Sequence, residues 1–444
     1  MLNQVTCDAL YYSDGLVKHY QTLSALPGFV LLESRDRLHG RYDIVSAYPY
    51  ERVVIPRDTT DLAASLRQFQ DKLQSLTTTS ACALPFQGGA IGYIAYDLGA
   101  KLMGLNAPTH PILDNMPLLD MGFYDWAIVV DHVEQSVTLI SANQQSETMQ
   151  LVKEIRVRWD SVSLFSSAFV LHRPFAPVIS QMDYHAAFAS IHADLIRGRA
   201  YQVNYTQPFI ADSSGDPWGM YCTVCEHNPV PYGAFMRCQD FDILSFSSER
   251  FLTYDNNKML TSPIKGTARR SADLVVDTQL QNWLLSCPKN RAENVMIVDL
   301  LRNDLGKIAR PGSVNVTSLC ALQSYTAVHH LVSDIEAECK DGITAWDAFM
   351  ACFPGGSITG APKREAMRII YEQEQMARGV YCGHIGYFSA HGRCDMNIAI
   401  RTVVARHGCL YLGVGGGIVI DSQWQDEYKE CLTKIQAITG AFLV

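Results

Sequence analysis

The sequence predicts a mixed α/β chain of the α+β type, and three observations carry that reading. Short β-type runs recur at irregular intervals through the first part of the chain. In the second half, helical patterns with recognisable ends alternate with strand-like runs. The strict strand–helix–strand rhythm of a doubly wound parallel sheet is missing. At 444 residues the chain exceeds what one core of about 150 residues uses, so it has room for a deep cavity.

Taken in order, Gly28–Leu32, Gly88–Tyr96, Ala127–Val130 and Val137–Ile140 read as strands, with a helix over Leu62–Leu73. The Ser-rich stretch within Gln145–Pro177 loses this patterning, which places a boundary between regions 1–165 and 166–444. Beyond it, Tyr184–Ile196 has apolar residues at helical spacing and stops before Gly198, and Tyr201–Thr206 alternates as a strand. Further helices are expected at Ala292–Leu305, Pro362–Glu374 with Pro in the first turn, and Gln423–Ile438 before Gly440. Strands are expected at Phe241–Phe246, Ile385–Ser389, Ala399–Val404 and Leu410–Val414.

Composition removes several classes of function. With 18% charged and 48% hydrophobic residues the chain is a packed globular protein rather than a disordered one. Its net charge of −9 leaves no general cationic face for nucleic acid or an anionic membrane. The start, Met1-Leu2-Asn3-Gln4, has neither the basic nor the apolar part of a secretory signal. The apolar run Cys409–Ile420 is interrupted by glycine and shorter than the ~18 residues of a membrane span. Thirteen cysteines without a repeating interval fit reduced thiols, so a cytoplasmic location is expected. The CxxC of Cys222 and Cys225 has no second pair and reads as a helix face rather than a zinc knuckle.

Two glycine-rich segments are not nucleotide motifs. Gly355–Lys363 lacks the Gly-Lys-Ser/Thr ending of a phosphate loop, and Gly413–Ile418 has Ile where the third glycine of a dinucleotide fingerprint belongs. Each offers backbone N–H groups free of side chains, a nest for a carboxylate, or else a tight turn between strands.

Several charges sit in apolar sequence, where burial is costly without a partner. Glu293 opens the apolar helix, and Glu427, Glu430 and Lys434 share one face of the last helix. Carboxylates from two helices suit magnesium, which takes few protein oxygens, although helix surface charge gives the same pattern. Arg401 lies in the apolar run Ile398–Val404 and needs an anion. Lys265 sits within Pro263–Thr267, read as a constrained turn at a strand end, and is either a nucleophilic amine or a surface lysine. Glu249 and His330 complete the set, His330 being equally readable as a satisfied core histidine.

Together these segments resemble the chorismate-utilising enzymes. The resemblance covers most of the chain and is densest from Tyr201 to Lys434: YQVN at 201–204, SSERF at 247–251, PIKGT at 263–267, RAENVMIVDLLRND at 291–304, AVHHLVS at 327–333, FPGGSITGAPK at 353–363, CGHIGY at 382–387, IAIRT at 398–402, GGGIV at 415–419 and DSxxxxEYKE at 421–430. LPFQGGAIGYIAYDLG at 84–99 and FYDWAIVVDH at 123–132 extend it toward the N-terminus. It implies a large four-layer α/β/β/α sandwich with two packed, mostly antiparallel sheets.

The resemblance also implies roles. Glu293 and Glu430, with Glu427 close by, would hold Mg2+ on the ring carboxylate of chorismate. Arg401, Lys434 and the backbone of Gly416 and Gly417 match positions that hold substrate carboxylates, and Thr359, Tyr381 and His330 match lining positions. Glu249 matches the acid that protonates the departing 4-hydroxyl. Members that add water carry a lysine base where Gln202 stands here, and glutamine takes no proton. Members that make anthranilate have alanine at the position of Lys265, whereas lysine there attacks C2 and directs ammonia to C4. The implied product is therefore 4-amino-4-deoxychorismate, with anthranilate formation as the alternative and a non-catalytic tryptophan-binding subunit as the remote one. Asn290 stands where relatives commonly carry an acid, which weakens support around the metal. Leu32, Ser34, Arg41, Tyr42, Pro231, Tyr232 and Gly233 resemble the family's tryptophan pocket, or form a plain core contact. No cysteine sits in the Gly-x-Cys-x-Gly turn of a glutaminase, so ammonia is expected from a separate glutamine amidotransferase subunit.

Overall fold

The computed structural model of the protein describes residues 5–76, 82–105, 108–110, 112–162, 168–325 and 328–442. Met1–Gln4, the boundary expected between 165 and 166, and Ala327 at the head of AVHHLVS lie outside the described residues.

Two large sheets organise the described residues, one of 13 strands and one of 10. Every paired strand runs antiparallel to its neighbour. Each sheet draws strands from both sides of residue 165: Val30–Glu33 pairs with Tyr232–Arg237 in the larger, and Gly89–Ile94 with His384–Ser389 in the smaller. The apolar faces define the layers. Ile91, Tyr93 and Ile385 of one sheet meet Val129, Met236 and Val404 of the other in a shared core. The outer face of the smaller sheet is covered by Leu62–Ser75, Pro288–Gly306 and Ala345–Cys352, which contribute Phe69, Ile297, Trp346 and Phe349. The outer face of the larger is covered by Leu16–Leu23, Thr148–Asp160, Pro217–His227 and Trp424–Thr439, which contribute Tyr20, Trp159, Trp218 and Ile435. The result is the helix–sheet–sheet–helix sandwich that the resemblance implies. No helix among the described residues is long and apolar enough to cross a membrane. Cys222 and Cys225 lie on the helix Pro217–His227, and Cys225 packs into the core beneath it.

Three local expectations need correction. Arg401 is not inside a strand: it has φ 51° and precedes the strand Thr402–Arg406, so the run Ala399–Val404 is irregular at its start. Gly413–Ile418 is not a turn but the middle of the long strand Cys409–Val419. That strand is paired along its length with Gln202–Gly215, while its other neighbour, Thr402–Arg406, reaches only Cys409–Leu412. From Gly413 onward the second edge has no strand partner among the described residues. Lys265 lies within the strand Ile264–Arg269 rather than in a terminal turn.

Candidate active site

Lys265 is placed by a β-bulge. Ile264 pairs with Val332 and Thr267 with His330, so one extra residue is accommodated at Lys265–Gly266 and the strand locally re-aims its side chains. Gly266 supplies the φ of +85° that the bulge needs, and a Cβ there would lie 3.1 Å from the side chains of Asn290 and Leu284. The Lys265 amine is partly buried and donates to the carbonyl of Ser357 at 3.1 Å. It faces the charges of Glu249, Glu293 and Glu430.

Glu249 lies between the strands Asp242–Ser247 and Arg250–Asp255 and is 6% exposed. The Ser357 hydroxyl donates to its Oε1 at 2.8 Å. Burial raises the Glu249 pKa, with Lys265, the Ser357 hydroxyl and Lys434 pulling against the rise. Arg401 faces the same carboxyl, is held below its ordinary value by burial, and its guanidinium makes no hydrogen bond among the described residues.

Strand pairing brings His330 opposite Thr267, whose hydroxyl shares a 2.8 Å hydrogen bond with Nδ1. Nε2 is buried without a hydrogen-bond partner among the described residues, so this is not a satisfied core histidine. Burial, and then the nearby Arg401, lower its pKa to about 3, which keeps the ring neutral. Gln202 is fully buried with neither amide atom hydrogen-bonded among the described residues, and a Cβ at Gly417 would run into its Nε2. Thr359 is tied down by its hydroxyl, which donates to the carbonyls of Gly355 and Gly356. The Tyr381 ring covers Gly413 so closely that a Cβ there would collide with it.

The helix Trp424–Thr439 brings Glu427, Glu430 and Lys434 to one glycine. A Cβ on Gly416 would lie 3.1 Å from Glu427 Oε2, 3.7 Å from Glu430 Oε1 and 3.9 Å from Lys434 Nζ. Lys434 bridges Glu430 at 2.7 Å and the carbonyl of Gly415 at 2.7 Å. Burial raises Glu427, whose Oε1 accepts from Ser422, and burial likewise raises Glu293, whereas Lys434 holds the half-exposed Glu430 below its ordinary value. Among the described residues no three His, Cys, Asp or Glu side chains stand close enough to form a ready-made metal cage. The Glu430 charge works against ionisation of both Glu293 and Glu427, and carboxylates so placed in an open site could hold Mg2+ completed by water and substrate oxygens.

The seven residues resembling a tryptophan pocket also come together. Leu32, Ser34, Arg41, Tyr42, Pro231, Tyr232 and Gly233 line one cavity of about 640 Å3, with Arg250, Asp395 and Asn397 on its other side. Ser34 Oγ donates to the Pro231 carbonyl at 2.9 Å, and Arg41 is paired with Asp131 at 2.7 Å. Tyr325 lies between cavity and cleft, stacked on His39 at 4.0 Å and edge-on to His330 at 5.1 Å.

Sequence reasoning missed Ser357, Ser422 and Lys289. Lys289 adds a positive charge felt by Glu293, Glu427 and Glu430. Its signal was present, since it precedes Glu293 by one helical turn, but the helix begins at Pro288 and not at Ala292. Ser357 stands two residues before Thr359, in a segment whose sequence pointed to its backbone N–H groups and to Thr359 but not to this hydroxyl.

A cleft that sets a buried acid beside a partly buried amine and brings Lys265, Lys289, Lys434 and Arg401 to bear on it has the cations to take a small anion. The profile of chorismate binding enzymes matches residues 28–440, and the chain belongs to that family. It is 40% identical to aminodeoxychorismate synthase component 1 of Salmonella typhimurium, over 96% of this chain and 95% of the relative. It is 38% identical to the protein of the same name from Escherichia coli, over 98% of each. Anthranilate synthase component I of Streptococcus pneumoniae superposes with a TM-score of 0.76 at 30% identity, over 90% of this chain and 92% of that one.

Proposed function

We propose that the chain aminates chorismate to 4-amino-4-deoxychorismate, on the route to 4-aminobenzoate and folate, as the component that works with a separate glutamine amidotransferase subunit. The Salmonella typhimurium and Escherichia coli relatives, matched over nearly their whole length, carry the name of that activity, and "component 1" in that name fits a partnered chain. The observation that carries the reading is the bulge that sets the Lys265 amine among Glu249, Glu293 and Glu430.

In this reading Arg401, Lys434 and the backbone at Gly416 and Gly417 hold the substrate carboxylates, and Thr359 and Tyr381 shape the wall. Glu293 and Glu430, with Glu427, would hold Mg2+, which when bound neutralises charge at the ring carboxylate. The Lys265 amine attacks C2 while Glu249 gives its proton to the departing 4-hydroxyl. Gln202 offers an amide where a base would activate water, so hydration is not favoured. Ammonia then adds at C4 and lysine is expelled. The cavity around Ser34 and Tyr232 takes tryptophan.

Intact-protein mass spectrometry of the purified chain with chorismate and Mg2+, without ammonia, tests this. The expected result is a ring adduct on Lys265 that is absent from Lys265→Ala. With ammonium salts the product should become 4-aminobenzoate only after a lyase is added, and glutamine alone should give none. Anthranilate and pyruvate as the products, with Lys265 unmodified, would assign the chain to the alternative activity that the Streptococcus pneumoniae structure represents.

A further inference from the structure

We propose that Ser357 is a positioning residue that sets the proton donor and the attacking amine against each other, its hydroxyl holding the Glu249 carboxyl and its own carbonyl holding the Lys265 amine. The inference rests on the roles of Glu249 and Lys265 given above and deepens them. The two groups come from separate places, Glu249 from the connection between the larger and the smaller sheet and Lys265 from a bulge in the smaller one, and both touch Ser357. Ser357 is 5% exposed, and its contacts lie at 2.8 Å through Oγ and 3.1 Å through the carbonyl oxygen.

Such a reference point is useful only if it cannot move, and the turn around it is fastened on every side. Thr359 Oγ1 donates to the carbonyls of Gly355 and Gly356 at 2.9 and 3.2 Å. Gly356 sits against Leu300, on the helix that bears Glu293, where a Cβ would come within 2.6 Å. The buried Arg378 donates to the carbonyls of Ile358 and Asn204 at 2.9 and 2.6 Å, tying the turn to the strand that bears Gln202. Asn204 N–H in turn donates to the Thr359 carbonyl at 2.9 Å. A lysine amine on four methylenes has many rotamers, and one fixed acceptor removes most of that freedom before substrate arrives.

The lone pair of the neutral Lys265 amine forms the N–C2 bond, the two ring double bonds each shift one place toward C4, and the C4–O bond breaks. The departing oxygen takes the Glu249 proton and leaves as water, giving a secondary ammonium on the ring and a carboxylate at Glu249. Donor and nucleophile act at different ring carbons in one event, so an error in their separation reduces the rate without weakening binding.

The test compares Ser357→Ala and Ser357→Thr with the wild type in the ammonium assay, with steady-state kinetics and time-resolved mass spectrometry of Lys265. Ser357→Ala should lower kcat roughly ten- to a hundred-fold with KM for chorismate within about two-fold, because binding groups are untouched. The Lys265 adduct should build up more slowly in proportion, and Ser357→Thr, which keeps the hydroxyl, should recover most of the rate. The alkaline limb of the pH profile should move upward in Ser357→Ala, since a donor that favours ionised Glu249 is lost while Lys265, Lys434 and Arg401 still face it. A wild-type kcat in Ser357→Ala, a loss confined to KM, or Ser357→Thr no better than Ser357→Ala would overturn the proposal and leave the reading of the reaction intact. A wild-type chain that forms no adduct on Lys265 would overturn both, and that result is read before any variant is made.

Discussion

The proton on Glu249 is governed by opposing effects. Burial favours the neutral acid, while Lys265, Ser357 and Lys434 favour the carboxylate, and burial prevails. Its pKa in the folded chain therefore lies above the ordinary value, and kcat/KM should fall as pH rises through it, since an acid that has lost its proton cannot assist the leaving hydroxyl. Glu249→Gln should lower kcat by about 10²–10⁴-fold and flatten that limb, a comparison read from pH–rate profiles of the two proteins. The same shift affects stability. A carboxyl raised on folding contributes stability that is complete below its unfolded pKa and lost as pH rises through the folded value, so Glu249→Gln should lose less stability than wild type across that interval. His330 is pushed down to about 3 and stays neutral, so a limb near the usual histidine value of about 6.5 does not belong to it.

Glycines make the last helix and its facing strand one device. Gly416 lets Glu427, Glu430 and Lys434 approach the backbone, and Gly413 makes room for the Tyr381 ring. Gly413→Ala should cost about 1–3 kcal/mol in denaturant unfolding, because that ring is 5% exposed and has no open space to enter. Burial raises Glu293 and Glu427, so both must lose protons to take a cation, and Mg2+ should bind more tightly as pH rises. In thermal melts, Mg2+ at about a hundred times its Kd should stabilise the chain by about 2.7 kcal/mol, with less effect at lower pH and little in Glu430→Ala. Much of this was legible in the sequence. Periodicity located Leu62–Ser75, Gln181–Ile196, Lys363–Gln373 and Trp424–Thr439 to within a few residues, and the i, i+3, i+7 spacing put the charges of the last helix on one face. What failed was local backbone geometry. Nothing in Ile398–Val404 announces that Arg401 takes a left-handed φ, and a strand with glycines at 413 and 415–417 reads as a loop, because its β-structure comes from pairing with Gln202–Gly215 rather than from its own propensity. The hydrogen bonds of Ser357 join segments about a hundred residues apart, which spacing along one strand or helix cannot reveal.

At the scale of the molecule, the order of strands decides how the chain unfolds. Neither sheet belongs to one region of the sequence. Val30–Glu33 sits between Tyr42–Ser46 and Tyr232–Arg237, and Gly89–Ile94 sits between Leu119–Tyr124 and His384–Ser389. A fragment beginning at residue 166 keeps every residue assigned here to the reaction, yet it loses one of the two strand partners of Tyr232–Arg237 and of His384–Ser389, and half of the core between the sheets. Ile91, Tyr93, Ala127 and Val129 would go, each at most 1% exposed in the whole chain. Unpaired apolar strand edges invite pairing with other chains, and the lost burial, about 1.5–3 kcal/mol for each large side chain, is comparable in sum to the whole stability of a domain. The fragment 166–444 should therefore aggregate or remain without fixed tertiary structure, as read by near-ultraviolet circular dichroism and gel filtration. The intact chain should unfold in one transition that is the same by tryptophan fluorescence and far-ultraviolet circular dichroism. A fragment that folds as a monomer and forms the Lys265 adduct would mean that the shared sheets are dispensable to the cleft, and the pairing of Gly89–Ile94 with His384–Ser389 would then have to be tested as a stabilising contact only.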